Sequence, residues 1–398
     1  MWTNFKLDLS SFSKELNLLI KLIKLDDHVG PEIIDKEVFS EINWEQFIEL
    51  AKHHRVYPII YLNLKKVANN CVPLNVLQEF SQLYRNNTIR MLHLSGEMEQ
   101  ISKLFAENKV RTLFLKGPVL ATALYGDVSL RTSSDIDLLI PIKMLKKVEK
   151  LIVEQGYIKD DYIESVLNDW KWRHHHITFF HPGKKIKLEI HWRMNPGPAK
   201  EPQFDELWKK KRKSLQNSYP IYYLGCEDLF LFLVTHGARH GWSRLRWLVD
   251  IDKLIQQSLN YKEIIKLLRK YQYPHIGGQS LILTSQIFNS KVNEELLPLI
   301  NDKLATRLAQ EALFYISNIV NLHTEPLPQK VAEYHKRHLF LLRSNRQKLL
   351  FLMSFLYPFA TDTETLPLPK VLHILYFPLR PILMLWRRTR SRAVTRRV

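Results

Sequence analysis

Apolar residues recur along this chain with two different periods. From about residue 10 to 110, and again from 224 to 320, they return three and four positions apart, the spacing of one helix face. In NWEQFIELAKHHRVYPIIYLNLKKVA the positions Trp44, Phe47, Ile48 and Ala51, then Val56, Ile59 and Ile60, keep that spacing, and Asn43 is placed to cap the first turn. His53 and His54 fall inside this stretch and read as packing or surface positions. Residues 74–107 predict one long helix or two, divided near Gly96. Residues 143–157 predict an amphipathic helix ended by Gly156.

Between these helical regions the period shortens. Residues 112–115 read as a short strand, Lys116-Gly117-Pro118 as a turn, and 119–125 as an apolar helix ended by Gly126-Asp127. TSSDIDLLI, residues 132–140, reads as a strand. ITFFH (177–181) and IKLEIHW (186–192) flank PGKK and predict a hairpin.

The strand at 132–140 carries the chemistry. Asp135 and Asp137 are two apart, so on a strand they project side by side. Like charges this close call for a cation between them, and a divalent metal held with substrate phosphates is the usual answer. An isolated pair of this kind also fits an exposed strand end. Here it follows a glycine turn that opens a helix, which presents N–H groups to an anion, and Lys116 and Arg131 add positive charge. The combination points to metal-dependent chemistry on a phosphorylated substrate. In the second hairpin strand Lys187, Glu189 and His191 share one face and Ile186, Leu188 and Ile190 the other. Glu189 is either solvent-facing or, if this strand pairs beside the Asp135/Asp137 strand, a third acid around one or two Mg²⁺ ions.

The stretch from Lys116 to Ile140 resembles the DNA polymerase beta-type nucleotidyltransferase superfamily, with its glycine turn, helix and acid-x-acid strand. More narrowly, LKGPVLATALYGD, Arg131, DIDLLI and LEIHW resemble a bacterial family of uncharacterised nucleotidyltransferases, over most of the chain. The resemblance implies an α+β fold: a small mixed sheet as nucleotidyltransferase core, flanked by N-terminal and C-terminal helical regions. It implies transfer of a nucleoside monophosphate from an NTP such as ATP, with Asp135, Asp137 and Glu189 as catalytic residues and as ligands of Mg²⁺ (or Mn²⁺), and with Lys116, Gly117 and Arg131 on the nucleotide. The superfamily turn carries Ser after Gly. Pro118 stands there instead, which removes a hydroxyl and a backbone donor, so a nucleotide-binding or regulatory module without transfer is the alternative. The acceptor is open: a small molecule, a sugar phosphate, a peptide or a protein hydroxyl, in a biosynthetic or tailoring pathway.

The chain divides into an N-terminal helical region (1–110), the αβ core (111–195), a mobile basic link (196–220), a C-terminal helical region (221–345) and an apolar, proline- and arginine-rich tail (346–398). The KKKRK run in the link reads as solvated. His236 and His240 share a helix face, but Gly237 stands where a zinc-protease motif has Glu. The expectation is that this helix lends His236, Arg239 or His240 to the substrate pocket, while Asp250 and Asp252 orient the basic groups or cap. His174, His175 and His176 read as surface or edge positions.

Composition narrows the setting. The 398 residues carry 58 Lys and Arg against 40 Asp and Glu, a net charge of +18. That balance admits nucleic acid as a lesser partner, although no nucleic-acid-binding motif is recognisable. Two cysteines, Cys71 and Cys226, form no disulfide framework, and no signal-peptide core opens the sequence, so the cytoplasm is expected. The tail joins an apolar segment, broken by Pro367, Pro369, Pro378 and Pro381, to an arginine cluster. That is also the make-up of a peripheral membrane contact.

Overall fold

The computed structural model describes residues 5–25, 37–67, 71–160, 163–214, 219–322 and 324–395. Seven strands form one sheet: β1 (Leu113–Phe114), β2 (Asp135–Leu139), β3 (Ile158–Lys159), β4 (His176–His181), β5 (Ile186–His191), β6 (Arg212–Lys213) and β7 (Tyr222–Tyr223). Their order is β3-β4-β5-β2-β1-β7-β6. β2 and β5, and β1 and β7, run parallel; the other pairs are antiparallel. This is an α+β fold with a mixed sheet and helices before and after it.

Alternation along β2 and β5 sorts the side chains. Ile136, Leu138, Ile186, Leu188 and Ile190 bury in a core shared with the helix Leu145–Glu154 and the second half of the helix Leu74–Glu107. The opposite face of β2 reaches a larger core through Leu139, where N-terminal helices pack with helices of residues 226–317. The N-terminal and C-terminal helical regions therefore share one core on one side of the sheet.

Local signals account for most of the helices. Asn43 caps the helix Trp44–His53, its side chain accepting from Gln46 N at 3.1 Å. Residues 74–107 form one unbroken helix, and Gly96 does not divide it. The stretch expected as a mobile link is instead partly ordered: it holds the helix Phe204–Lys209, and its basic run enters the sheet as β6. Lys210 pairs with Glu263 at 3.0 Å, and the Lys211 ammonium lies over the rings of Trp208 and Tyr222. Carboxylates and aromatic faces, not water alone, take up these charges.

Candidate active site

The parallel register of β2 and β5 decides the arrangement of the acids. Asp137 stands opposite Glu189, Asp135 opposite Lys187 and Leu139 opposite His191. Asp135 and Asp137 therefore share a face with Lys187, Glu189 and His191. Asp137 is fully buried, and its Oδ1 accepts from Lys116 Nζ at 3.0 Å and from His191 Nε2 at 3.3 Å. Its Oδ2 is buried without a hydrogen-bond partner. Glu189 meets Lys187 Nζ at 3.0 Å through Oε1 and His191 Nε2 at 3.5 Å through Oε2. Asp137, Glu189 and His191 offer ligand atoms that all lie within 4.8 Å of one another. Asp135, at the start of β2, lines the same cavity but stands outside that tight group.

Charge is finely divided here. Burial, reinforced by Asp137, raises the Asp135 carboxyl above its ordinary range. Burial also works against the Glu189 carboxylate, but His191 and Lys116 override it and hold Glu189 well below the usual carboxylate range. Burial opposes a proton on His191, yet its hydrogen bonds to Asp137 and Glu189 win and raise it. Lys116 and His191 thus supply the positive charge that the carboxylates need.

The cavity above these acids measures about 450 Å³, and its far wall is basic. The helix Cys226–Arg239 brings His236 and Arg239, with His240 at its end. Arg239 Nη1 lies 3.2 Å from His175 Nε2 and Nη2 lies 3.4 Å from His236 Nδ1. Arg244, Arg246 and Trp247 follow on the next turn. Arg246 Nη1 donates to the carbonyl and, at 3.0 Å, to the hydroxyl of Thr132. Among the described residues no carboxylate pairs with Arg239, Arg244 or Arg246, and Nε of both Arg239 and Arg246 is buried without an acceptor. Burial lowers Arg239 to about 10 and, with Arg131 nearby, Arg246 to about 9.

Two local devices place that wall. A Cβ at Gly237 would fall 2.3 Å from the Trp242 ring, so only glycine lets Trp242 fold back against the helix. The N-terminal region then clamps the returning chain. His53 Nε2 donates to Ser243 O at 2.9 Å, Leu245 N donates to His54 Nδ1 at 3.3 Å, and Arg246 N donates to His54 O at 3.2 Å. His53 and His54 therefore hold the arginine-bearing turn.

The residues singled out in the sequence meet in one place, with differences. Lys116 reaches Asp137, and Gly117 makes the expected turn at φ +82°, with Pro118 at the first helical position. Arg131 lines the cavity, but its guanidinium is held by Asp250, which was expected to orient His236, Arg239 or His240 or to cap. His236, Arg239 and His240 join the pocket. His175 and His176 do as well, against the expectation of surface or edge positions: His175 precedes β4, where strand alternation does not hold neighbours on opposite faces. The sequence reading also missed His191 as a member of the acid cluster, and Arg244 and Arg246. The LEIHW and RLRWLVDID stretches held both signals.

Comparison with known proteins gives the family. Residues 40–289, more than half of the chain, match the model of a family described as uncharacterised nucleotidyltransferase. The chain belongs to that family. Among solved structures, the solution structure of the antibiotic-resistance factor ANT(2'')-Ia, reported with substrate-regulated conformation dynamics, is similar at 13% identity and a TM-score of 0.33, covering 47% of this chain and 92% of that one. No curated protein matches the sequence.

Proposed function

We propose that this family member transfers a nucleoside monophosphate from an NTP to a hydroxyl or phosphate acceptor in the cytoplasm, with Mg²⁺ or Mn²⁺ held by Asp137 and Glu189 together with His191 or Asp135. The observation that carries the reading is the pairing of two unlike walls in one cavity. On one side, buried guanidinium groups of Arg239 and Arg246 lack carboxylate partners among the described residues, and Nε of each has no acceptor there. On the other, Asp135 and Glu189 line the cavity, and Asp137, next to them in the sheet, keeps a buried carboxylate oxygen with no donor. Unsatisfied buried charge of both signs is costly unless a ligand completes it. A polyphosphate with a divalent cation supplies both counterparts at once.

In this reading Lys116, Arg239 and Arg246 hold the triphosphate, and Arg131, fixed by Asp250, adds positive potential behind it. Glu189, ionised at neutral pH, completes the acid cluster. When bound, the cation neutralises the carboxylates and polarises the phosphoryl oxygens. The acceptor oxygen bonds to the α-phosphorus, a hydroxyl acceptor giving its proton to water, the bond to the bridging oxygen breaks, and pyrophosphate leaves with that electron pair and is met by the arginines. Residues 111–195 carry the acids and residues 221–345 the basic wall.

Pro118 supports the alternative of a nucleotide-binding module without transfer, because it removes a backbone donor from the turn beside Lys116. One experiment separates the two. Protein incubated with α-labelled NTPs, Mg²⁺ or Mn²⁺ and cell extract is expected to release pyrophosphate and label an acceptor, and Asp137→Asn to lose both by more than about 100-fold, beyond what metal-supporting residues cost when removed. Nucleotide binding with no pyrophosphate in either protein overturns the enzyme in favour of the module.

A further inference from the structure

The C-terminal region reverses the ordinary pattern of burial. The helix Asn345–Ser354 buries Gln347, which donates to Tyr271 O at 3.3 Å, and exposes Leu349, Leu350, Leu352 and Met353. The helix Tyr376–Thr395 buries Arg380 beside Tyr376 and Leu383 and exposes Ile382, Met384, Leu385 and Trp386. Between them Asp362 is 0% exposed and pairs with both Arg380 and Arg387. Of the 24 large apolar side chains exposed among the described residues, 16 lie between Leu349 and Trp386. They therefore form a concentration and not the scatter of single exposed residues normal on a soluble surface. Leu349, Leu352, Met353 and Leu356 fall at i, i+3, i+4 and i+7, one stripe of a helix.

The charge that follows this face in the sequence names its occupant. After Trp386 the sequence carries six arginines and no acid; Arg396 and Arg397 lie outside the described residues, as do the side chains of Arg388, Arg390 and Arg392. A second copy of the chain would bring its own +18 to the contact. No helix among the described residues is long and apolar enough to cross a membrane. An aromatic residue beside arginines, next to apolar stripes with their polar groups turned inward, suits the boundary of an anionic bilayer.

We infer that the exposed apolar face of residues 345–386, followed in the sequence by six arginines, lies on an anionic lipid surface. The face is fastened close to the candidate site. Arg173 Nη2 donates to Ser354 O at 3.3 Å and Tyr357 O at 3.2 Å, and its guanidinium stacks 3.6 Å from the Phe359 ring centroid. Arg173 stands two residues before His175, which lines the cavity. Lipid contact would therefore fix the orientation of the cavity to the bilayer. The inference does not depend on the transfer reaction.

Flotation of the full chain with vesicles tests it. Wild-type protein is expected to float with vesicles of phosphatidylcholine and phosphatidylglycerol, to stay behind with phosphatidylcholine alone, and to be released as salt is raised. The exposed-site variant Leu349→Glu/Met353→Glu/Leu385→Glu is expected to lose flotation while keeping its unfolding midpoint. A second measurement needs no charged variant: brominated phosphatidylglycerol should quench wild-type tryptophan emission more than that of Trp386→Phe. Absence of flotation with anionic vesicles, or equal flotation of wild type and the triple variant, overturns the inference. So does a dimer in solution that the triple variant dissolves without any lipid binding, which would assign the face to a second copy.

Discussion

Arg131 and Asp250, 119 positions apart in sequence, form a two-pronged buried pair: Nε to Oδ1 at 2.8 Å and Nη2 to Oδ2 at 2.9 Å. Tyr125 adds a hydroxyl donor to Oδ1 at 2.7 Å. The pair ties the turn before β2 to the helix Leu245–Ile255, and so ties the acids to the arginine wall. Breaking one side leaves an uncompensated buried cation, whereas removing both charges does not. Asp250→Ala is expected to cost about 3–5 kcal/mol in urea unfolding, and Arg131→Met/Asp250→Leu to recover most of it.

Arg239 and Arg246 differ from Arg131 in lacking a carboxylate among the described residues. Their loss removes no internal ion pair and should therefore cost little stability. Each charge-assisted hydrogen bond to a phosphate contributes about 1.5–3 kcal/mol, so Arg246→Ala and Arg239→Ala should each weaken NTP binding by about tenfold or more. Arg246→Lys should not restore it, because a point charge cannot keep the Thr132 contacts and reach phosphate in the same fork. Calorimetric titration of NTP into each variant, beside its unfolding midpoint, checks both halves.

The acids were legible because their placement follows from a period of two. Once β2 and β5 run parallel in the register Asp137 to Glu189, Asp135, Asp137, Glu189 and His191 must share a face. That same rule contained His191, yet the acids alone were read from it. The helical regions were legible through caps and spacing, as with Asn43 and Trp44–His53. The basic wall was legible only in part: His236, Arg239 and His240 were expected in the pocket, Arg244 and Arg246 were not. Arg244 and Arg246 reach the cavity only because Trp242 packs on Gly237 and because His53 and His54, about 190 residues upstream, hold residues 243–246. Contacts across such separations leave no local pattern in a single sequence.

Burial of neutral histidines sets the expected response to acid. Burial lowers both His53 and His335 to about 4, against about 6.5 when unfolded. Below about pH 6.5 the unfolded chain takes up protons that the folded chain refuses until near pH 4. Stability should therefore fall as pH drops through that window and be unaffected by these groups above it. His191, raised by its acids, works the other way: its contribution is present at low pH and lost as pH rises through its elevated value. It is one group against several, since burial also lowers His54, His275 and His338. Urea midpoints measured from pH 8 to 5 should decline, and His53→Asn should reduce the decline by about 1 kcal/mol at pH 5.

Two tight ligand groups share His191 among the described residues, one with His175 and His176 and the other with Asp137 and Glu189, and the second offers two carboxylates and an imidazole. A nitrogen donor suits Mn²⁺ better than Mg²⁺, which prefers an all-oxygen shell and keeps its waters. Mn²⁺ should therefore raise the unfolding midpoint more than Mg²⁺ at equal concentration, with loss of the free Mn²⁺ resonance signal reporting binding directly. His191→Ala should remove the preference while leaving some binding at the carboxylates, and Asp137→Asn should remove binding of both ions. Because His191 must give up its proton to serve as a ligand, Mn²⁺ affinity should rise with pH in the wild type and rise less in His191→Ala. Equal stabilisation by the two ions, or a preference that survives in His191→Ala, would assign the cation to oxygen donors alone and return Asp135 to the tight group in place of His191.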